Sequence, residues 1–211
     1  MIPVQIKICG ITNVQDAKAC AELGVDMIGF NFYPQSSRYI EPRLARRIVR
    51  VMSADLRAVG VFVERYSENI RNTANAAGVR CIQLHGPIPV EASRELAAEF
   101  HVIRAFSTDS GFRPEIVSLF GHCDVLIDAH HPNLHGGTGL TCDWETARRA
   151  RSFARFLILS GGLRAQNVGE AIATIWPHAV DVCSGVESTA GTKDHHALAD
   201  FVKAVRGAHS R

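Results

Sequence analysis

Short runs of Val, Ile, Leu, Phe and Ala alternate along the chain with longer stretches in which apolar residues recur every three or four positions. The first run, residues 4–9, meets Gly10-Ile11. Thr12-Asn13-Val14-Gln15 then has the form of a capping box opening a helix through Ala17, Ala19, Cys20 and Leu23 to a terminating Gly24. Residues 25–32 are the second run, and Pro42 suits the first position of the helix that follows. Residues 58–63 lead to a helix capped by Ser67 and stopped at Gly78. Residues 81–85 precede a helix around 90–100, and residues 102–106 a shorter one after Pro114. Residues 124–128 lead through a Gly-rich loop to a helix capped by Asp143. Residues 156–159 lead to Ser160-Gly161-Gly162 and a helix from about Gln166. Residues 179–183 lead to Ser184-Gly185 and a last helix over roughly 194–205.

Strands that alternate with helices form a parallel sheet with the helices outside it. Eight such units close into a (β/α)8 barrel, the TIM-barrel architecture of the α/β class. An open, doubly wound sheet is the alternative. Its G-x-G-x-x-G fingerprint after the first strand is absent, and Cys9-Gly10-Ile11-Thr12 stands there instead. No linker, low-complexity tract or longer repeat divides residues 1–211, so one barrel domain with short loops is expected.

Composition narrows the partners. Lys and Arg total 23 against 21 Asp and Glu, a formal charge of +2, which argues against a protein built to grip nucleic acid. No apolar run approaches the roughly 18 residues of a membrane span. The start, Met1-Ile2-Pro3-Val4-Gln5-Ile6-Lys7, reads as a strand and not as a leader. The six cysteines, at 9, 20, 81, 123, 142 and 183, form no C-x-x-C pair, so neither a disulfide frame nor a structural zinc site is expected. Scattered thiols fit a reducing, cytoplasmic setting, most of them acting as small hydrophobes.

In such a barrel the chemistry lies at the carboxyl ends of the strands. That rule selects Cys9, Asn31, Phe32, His85, Asp128, Ser160, Asp181 and Cys183 with the loops after them. Two glycine-bearing turns follow strands seven and eight, Ser160-Gly161-Gly162 and Cys183-Ser184-Gly185. Either alone reads as a tight turn; together, in these two places, they point to backbone amides that hold a phosphate. Period-two alternation puts Lys7 and Cys9 on one face of strand one and Ile6 and Ile8 on the other. A lysine beneath a cysteine favours the thiolate, whose ordinary pKa of about 8.5 is too high for an efficient base at neutral pH. Asp128 shares its face with Asp124 and Leu126, and a carboxyl partly withdrawn from water at the rim suits general-acid duty. A strand-end cysteine alone is usually packing and a strand-end aspartate often a cap. Above a phosphate site, the two suggest proton transfer on a sugar phosphate.

The ordered motifs Lys7-Ile8-Cys9-Gly10-Ile11-Thr12, Gly29-Phe30-Asn31-Phe32 with Ser36-Ser37-Arg38-Tyr39, and Val59-Gly60-Val61-Phe62 resemble the phosphoribosylanthranilate isomerase family. So do Gln83-Leu84-His85-Gly86, Gly136-Gly137-Thr138-Gly139 with Asp143-Trp144, Ser160-Gly161-Gly162-Leu163, and Ser184-Gly185-Val186-Glu187 with Gly191-Thr192-Lys193-Asp194. The resemblance implies an Amadori rearrangement of tryptophan biosynthesis, without cofactor or metal, on a small phosphorylated substrate. It implies Cys9 as base and Asp128 as acid, each contributing on the order of 10²–10⁴ in rate. It further implies Arg38 as partner of the anthranilate carboxylate, Lys7, His85 and Asp181 as substrate-binding residues, and Gly161, Gly162, Ser184 and Gly185 as the phosphate cradle. Asp181 could equally balance Lys7, and Arg38 could equally be a solvated loop residue. A monomer and a homodimer are both compatible with the surface charges.

Three positions depart from the family pattern: Asn31 and Cys183, where apolar residues or serine are more usual, and Cys142, where an aromatic is usual. The loop Ala129-His130-His131-Pro132-Asn133-Leu134-His135 reads as a titratable mouth loop in preference to a metal site. Two rivals stay in view. The corresponding isomerase of histidine biosynthesis resembles a longer barrel with an aspartate at the base position, which Cys9 and the short chain oppose. A non-catalytic, metabolite-binding barrel would lack the acid or the base.

Overall fold

The computed structural model describes residues 3–53, 55–86, 88–108, 111–129 and 144–208. The apolar runs are strands β1 (Gln5–Ile8), β2 (Met27–Asn31), β3 (Arg57–Phe62), β4 (Cys81–Leu84), β5 (His101–Ser107), β6 (Asp124–Asp128), β7 (Leu157–Ser160) and β8 (Ala179–Val182). Each pairs in parallel with the next, and β8 returns to β1, closing the barrel. Helices α1 (Val14–Glu22), α2 (Pro42–Val51), α3 (Ser67–Ala77), α4 (Val90–Leu96), α5 (Trp144–Arg151) and α6 (Val168–Ile175) occupy the connections. A 3-10 segment, Pro114–Phe120, takes the helix position after β5. Beyond β8 come one 3-10 turn (Ser184–Val186), a small antiparallel hairpin of β9 (Glu187–Thr189) and β10 (Thr192–Lys193), and α7 (His195–Gly207). No helix of the described residues is long and apolar enough to cross a membrane.

Local signals account for most boundaries. Pro42 opens α2, Gly78 ends α3 in the left-handed conformation (φ 75°), and the Asp194 side chain accepts from the amides of His196 and Ala197 to cap α7. Three expectations need correction. The cap of α1 is Asn13, which accepts from the Asp16 amide at 2.8 Å. Thr12 instead donates its hydroxyl to the Gly191 carbonyl at 2.5 Å, tying the first loop to the last hairpin. Ser67 lies inside α3, with Tyr66 at the cap, and α6 begins at Val168. The expected Asp143 cap of α5 lies outside the described residues.

Alternation along the strands divides the core. Ile6, Ile8, Ile28, Phe30, Ile82, Leu84, Ile127, Leu159 and Val180 face outward into one large cluster with the helices. Met27, Val59, Cys81, Ile103, Ala105, Leu126, Ile158 and Ala179 plug the interior. Each large aliphatic side chain so buried contributes roughly 1.5–3 kcal/mol. Towards the carboxyl ends the interior turns polar, with Lys7, Gln83 and Asp181 all buried. That change of character marks the functional end of the barrel.

Candidate active site

The site is built on the seam between β1 and β8. Lys7 and Asp181 are register partners on the inward face, and Lys7 Nζ lies 2.9 Å from Asp181 Oδ1. The lysine side chain has no accessible surface. Ser160, at the end of β7, donates its hydroxyl to Asp181 Oδ2 at 3.1 Å, so both carboxylate oxygens are occupied. Burial works against the Lys7 charge, but the Asp181 carboxylate and the Cys9 thiolate more than offset it and raise its pKa above the ordinary value.

Cys9 stands one residue beyond β1, its amide donating to the Val182 carbonyl at 2.8 Å. Its partly exposed thiol is held well below the ordinary thiol pKa. A hydrogen bond from Cys183 is the main cause, burial opposes it, and the Lys7 ammonium adds to the lowering. Cys183 is raised in turn, because its proton is shared towards the Cys9 sulfur and because it is itself buried. Gly29, opposite on β2, leaves room for this arrangement: a Cβ there would lie 2.9 Å from Cys9 Sγ and 3.2 Å from Lys7 Nζ. Only a residue without a side chain leaves room for both groups at that point.

Arg38, in the loop after β2, reaches across to the β8 side. Its Nε and Nη2 grip Glu187 at 2.7–3.1 Å, while Nη1 meets no hydrogen-bond partner among the described residues. Lys193, its side chain wholly buried, donates to Oε1 of the same carboxylate at 3.1 Å and to the Cys183 carbonyl at 3.2 Å. Burial alone would raise the Glu187 pKa, but Arg38, Lys193 and the Gly191 amide overcome it and hold it at about 2. Gly10 (φ +77°) sits under this bridge, where a Cβ would come within 2.9 Å of Arg38 Cδ and 3.0 Å of Cys183 Sγ.

The two glycine turns meet. Gly161 and Gly162 both adopt positive φ, 102° and 62°. A Cβ on Gly185 would fall 2.0 Å from the Leu163 carbonyl oxygen, so the loops after β7 and β8 touch backbone to backbone. On the opposite rim, His85 follows β4; its pKa is lowered chiefly by burial, which the nearby charge of Asp128 only partly offsets. Burial therefore favours the neutral imidazole. Beside it a cavity of about 830 Å³ opens, lined by His85, Arg104, Phe106 and Phe112, among others.

The sequence profile of the N-(5'-phosphoribosyl)anthranilate (PRA) isomerase family matches residues 6–204. The N-(5'-phosphoribosyl)anthranilate isomerase of Thermotoga maritima is 41% identical over 204 residues, covering 97% of this chain and 99% of its own. The chain belongs to the phosphoribosylanthranilate isomerase family. The crystal structure of the Thermotoga maritima family member superposes with a TM-score of 0.89 over 97% of this chain and 99% of that one. A second phosphoribosylanthranilate isomerase structure, in complex with reduced 1-(o-carboxyphenylamino)-1-deoxyribulose 5-phosphate, is 39% identical with a TM-score of 0.87 over the same shares.

For a phosphoribosylanthranilate isomerase, the positions of the expected residues are informative. Cys9, Asp128, His85 and Arg38 all stand at the carboxyl ends of the strands or just beyond them, as do the turns at Gly161, Gly162, Ser184 and Gly185. Lys7, expected as a substrate-binding residue, is fully buried and paired with Asp181, which favours a role beneath Cys9 over one on a ligand in the mouth. Asp181 likewise is 5% exposed, with both oxygens engaged, which favours its alternative reading as the balance of Lys7. Arg38 is neither wholly solvated nor wholly free, since Glu187 fixes one edge of its guanidinium. Expectations about His130, His131, His135, Cys142 and Gly136-Gly137-Thr138-Gly139 lie outside the described residues. Glu187, Lys193 and Gly29 carried no assigned role. Extending the inward alternation from Asp181 to Cys183 would have placed the second thiol beside Cys9.

The Glu187 network makes a pH prediction for the family member. Its carboxyl is depressed from 4.5 to about 2, so its contribution to stability is complete above 4.5 and is lost as pH falls from there through 2. The urea midpoint of Glu187→Gln is expected to lie below that of the wild type at neutral pH, the gap closing across that acid window. A gap that persists unchanged through it would mean the carboxylate charge is not what holds the network.

Proposed function

We propose that the chain converts N-(5-phosphoribosyl)anthranilate to its 1-deoxyribulose phosphate isomer by acid–base catalysis within this one barrel, using no cofactor. The observation that carries this reading is the partly exposed Cys9 thiolate seated directly on the buried Lys7–Asp181 pair. Asp128 protonates the furanose ring oxygen, and the ring opens to an imine. The Cys9 thiolate then takes the proton from C2′, leaving an enolamine that tautomerises to the ketone. Strands β7 and β8 separate β1 from β6 on one side and four strands on the other, so base and acid meet the sugar from different directions. Amides of Gly161, Gly162, Ser184 and Gly185 hold the phosphate; two turns packed backbone to backbone leave that cradle rigid, which keeps the reacting carbon in register with the thiolate. The Nη1 edge of Arg38 receives the anthranilate carboxylate, its other edge being anchored by Glu187. A reduced carboxyphenylamino deoxyribulose phosphate, the ligand of a related enzyme, carries the same two anionic ends.

Incubation of the purified chain with N-(5-phosphoribosyl)anthranilate is expected to give a product of unchanged mass with a ketone carbon in its NMR spectrum. Expression should rescue a tryptophan auxotroph and leave a histidine auxotroph unrescued; the reverse pattern would reassign the substrate. Arg38→Met is expected to raise KM about tenfold or more with a smaller change in kcat, as removal of uniform binding does. An unchanged KM would take the carboxylate away from Arg38.

A further inference from the structure

We propose that Cys9 and Cys183 form a redox-responsive dithiol: a hydroperoxide joins them in a disulfide across the β1–β8 seam, silencing the base, and a thiol reductant reopens it. The inference goes beyond the isomerase reading and rests on it only for the loss of turnover.

Geometry carries it. The parallel register of β1 and β8 runs from Gln5↔Ala179 to Ile8↔Val182, the last pair closed by the bond from the Cys9 amide to the Val182 carbonyl, and Cys9 and Cys183 are the residues that follow it on either strand. Their places directly after that last pair set Cys9 beside Cys183. Register partners on neighbouring strands stand roughly 4.8 Å apart, within the ~4.4–6.8 Å between Cα atoms that a disulfide spans. Alternation from Lys7 and Asp181, whose side chains already touch, turns both thiols to the same inward face. Both residues are partly exposed, so a small oxidant reaches them, and the Cys183 thiol, which donates to Glu187 Oε1 at 3.7 Å, is held at this seam.

The steps balance. The Cys9 thiolate attacks the peroxide: an S–O bond forms, the O–O bond breaks, and the leaving alkoxide or hydroxide takes a proton. Cys183 then attacks the neutral sulfenic sulfur, its proton leaves with the departing hydroxide as water, and the S–S bond forms. Two thiols give up two electrons and two protons; the hydroperoxide is reduced to alcohol, or water, plus water. Once Cys9 loses its negative charge, the main cause that keeps Cys183 protonated disappears, while Lys193 Nζ remains 4.0 Å from its sulfur to favour the second thiolate. Cys20, Cys81 and Cys123 are buried, and burial lifts their pKa values to about 12, 12 and 11, which keeps them inert.

The test treats wild-type protein with hydrogen peroxide in thiol-free buffer. The intact mass should fall by about 2 Da, a non-reducing peptide map should join the Cys9 and Cys183 peptides, and turnover should drop ~10²-fold or more. Dithiothreitol should reverse all three. Cys183→Ser, compared with its own untreated rate, should show no 2 Da loss and should instead collect oxygen on Cys9, which dithiothreitol removes at the sulfenic stage but no longer removes once excess peroxide has carried it to sulfinic acid. No reaction with peroxide, a crosslink through another cysteine, oxygen addition to wild-type Cys9 without a crosslink, or the same loss of about 2 Da in Cys183→Ser would each overturn the proposal. A Cys9–Cys183 crosslink with turnover intact would uphold the dithiol and instead refute Cys9 as base.

Discussion

Cys9→Ala is expected to lower kcat/KM by ~10²–10⁴-fold while the far-ultraviolet circular dichroism stays that of the wild type. The sulfur sits at the rim, partly exposed, so its loss removes little buried apolar surface. What it removes is the thiolate that sits above Lys7. Asp128→Asn should cost a similar factor, because asparagine keeps the shape and loses the proton. In the wild type the acid limb of kcat/KM should fall well below the ordinary thiol range of about 8.5, since the Cys183 hydrogen bond and the Lys7 charge both favour the thiolate. Activity should therefore rise through a low pKa as the base deprotonates. Either single variant folded and within tenfold of wild-type turnover would end the acid–base assignment.

The barrel was legible because parallel strands covered on both faces read as nearly unbroken apolar runs. Residues 58–62 and 124–128 show this plainly, and their register follows from neighbouring runs of similar length. The Lys7–Cys9 alternation was legible for the same local reason. What escaped was non-local. Thr12 and Asn13 are both good caps, and the tie was broken by a carbonyl at Gly191 that captured the threonine hydroxyl from 179 residues away. Arg38 finds Glu187 across 149 residues, so nothing near either residue announces the pair. The segment Pro114–Phe120 has helical composition at its start but is short and ends at Gly121, and it settles as 3-10. The β9–β10 hairpin was readable and unread: Gly191, at φ 82°, is the turn residue that the stretch needs.

Lys7→Met should separate two roles that the wild type combines in one side chain. Stability should fall by about 3–5 kcal/mol, since Asp181 would be left as a buried charge without its partner. The thiol would lose its nearest cation, so its pKa rises and the acid limb of kcat/KM moves up towards the ordinary thiol range. The double variant Lys7→Met with Asp181→Asn removes the stranded charge, and the asparagine can still accept from Ser160. Its urea midpoint should return most of the way to wild type. Its acid limb should not return fully, because no ammonium underlies Cys9. If the double variant regained both stability and the low acid limb, the Cys183 hydrogen bond alone would suffice to hold the thiolate, and the buried ion pair would be a matter of folding only.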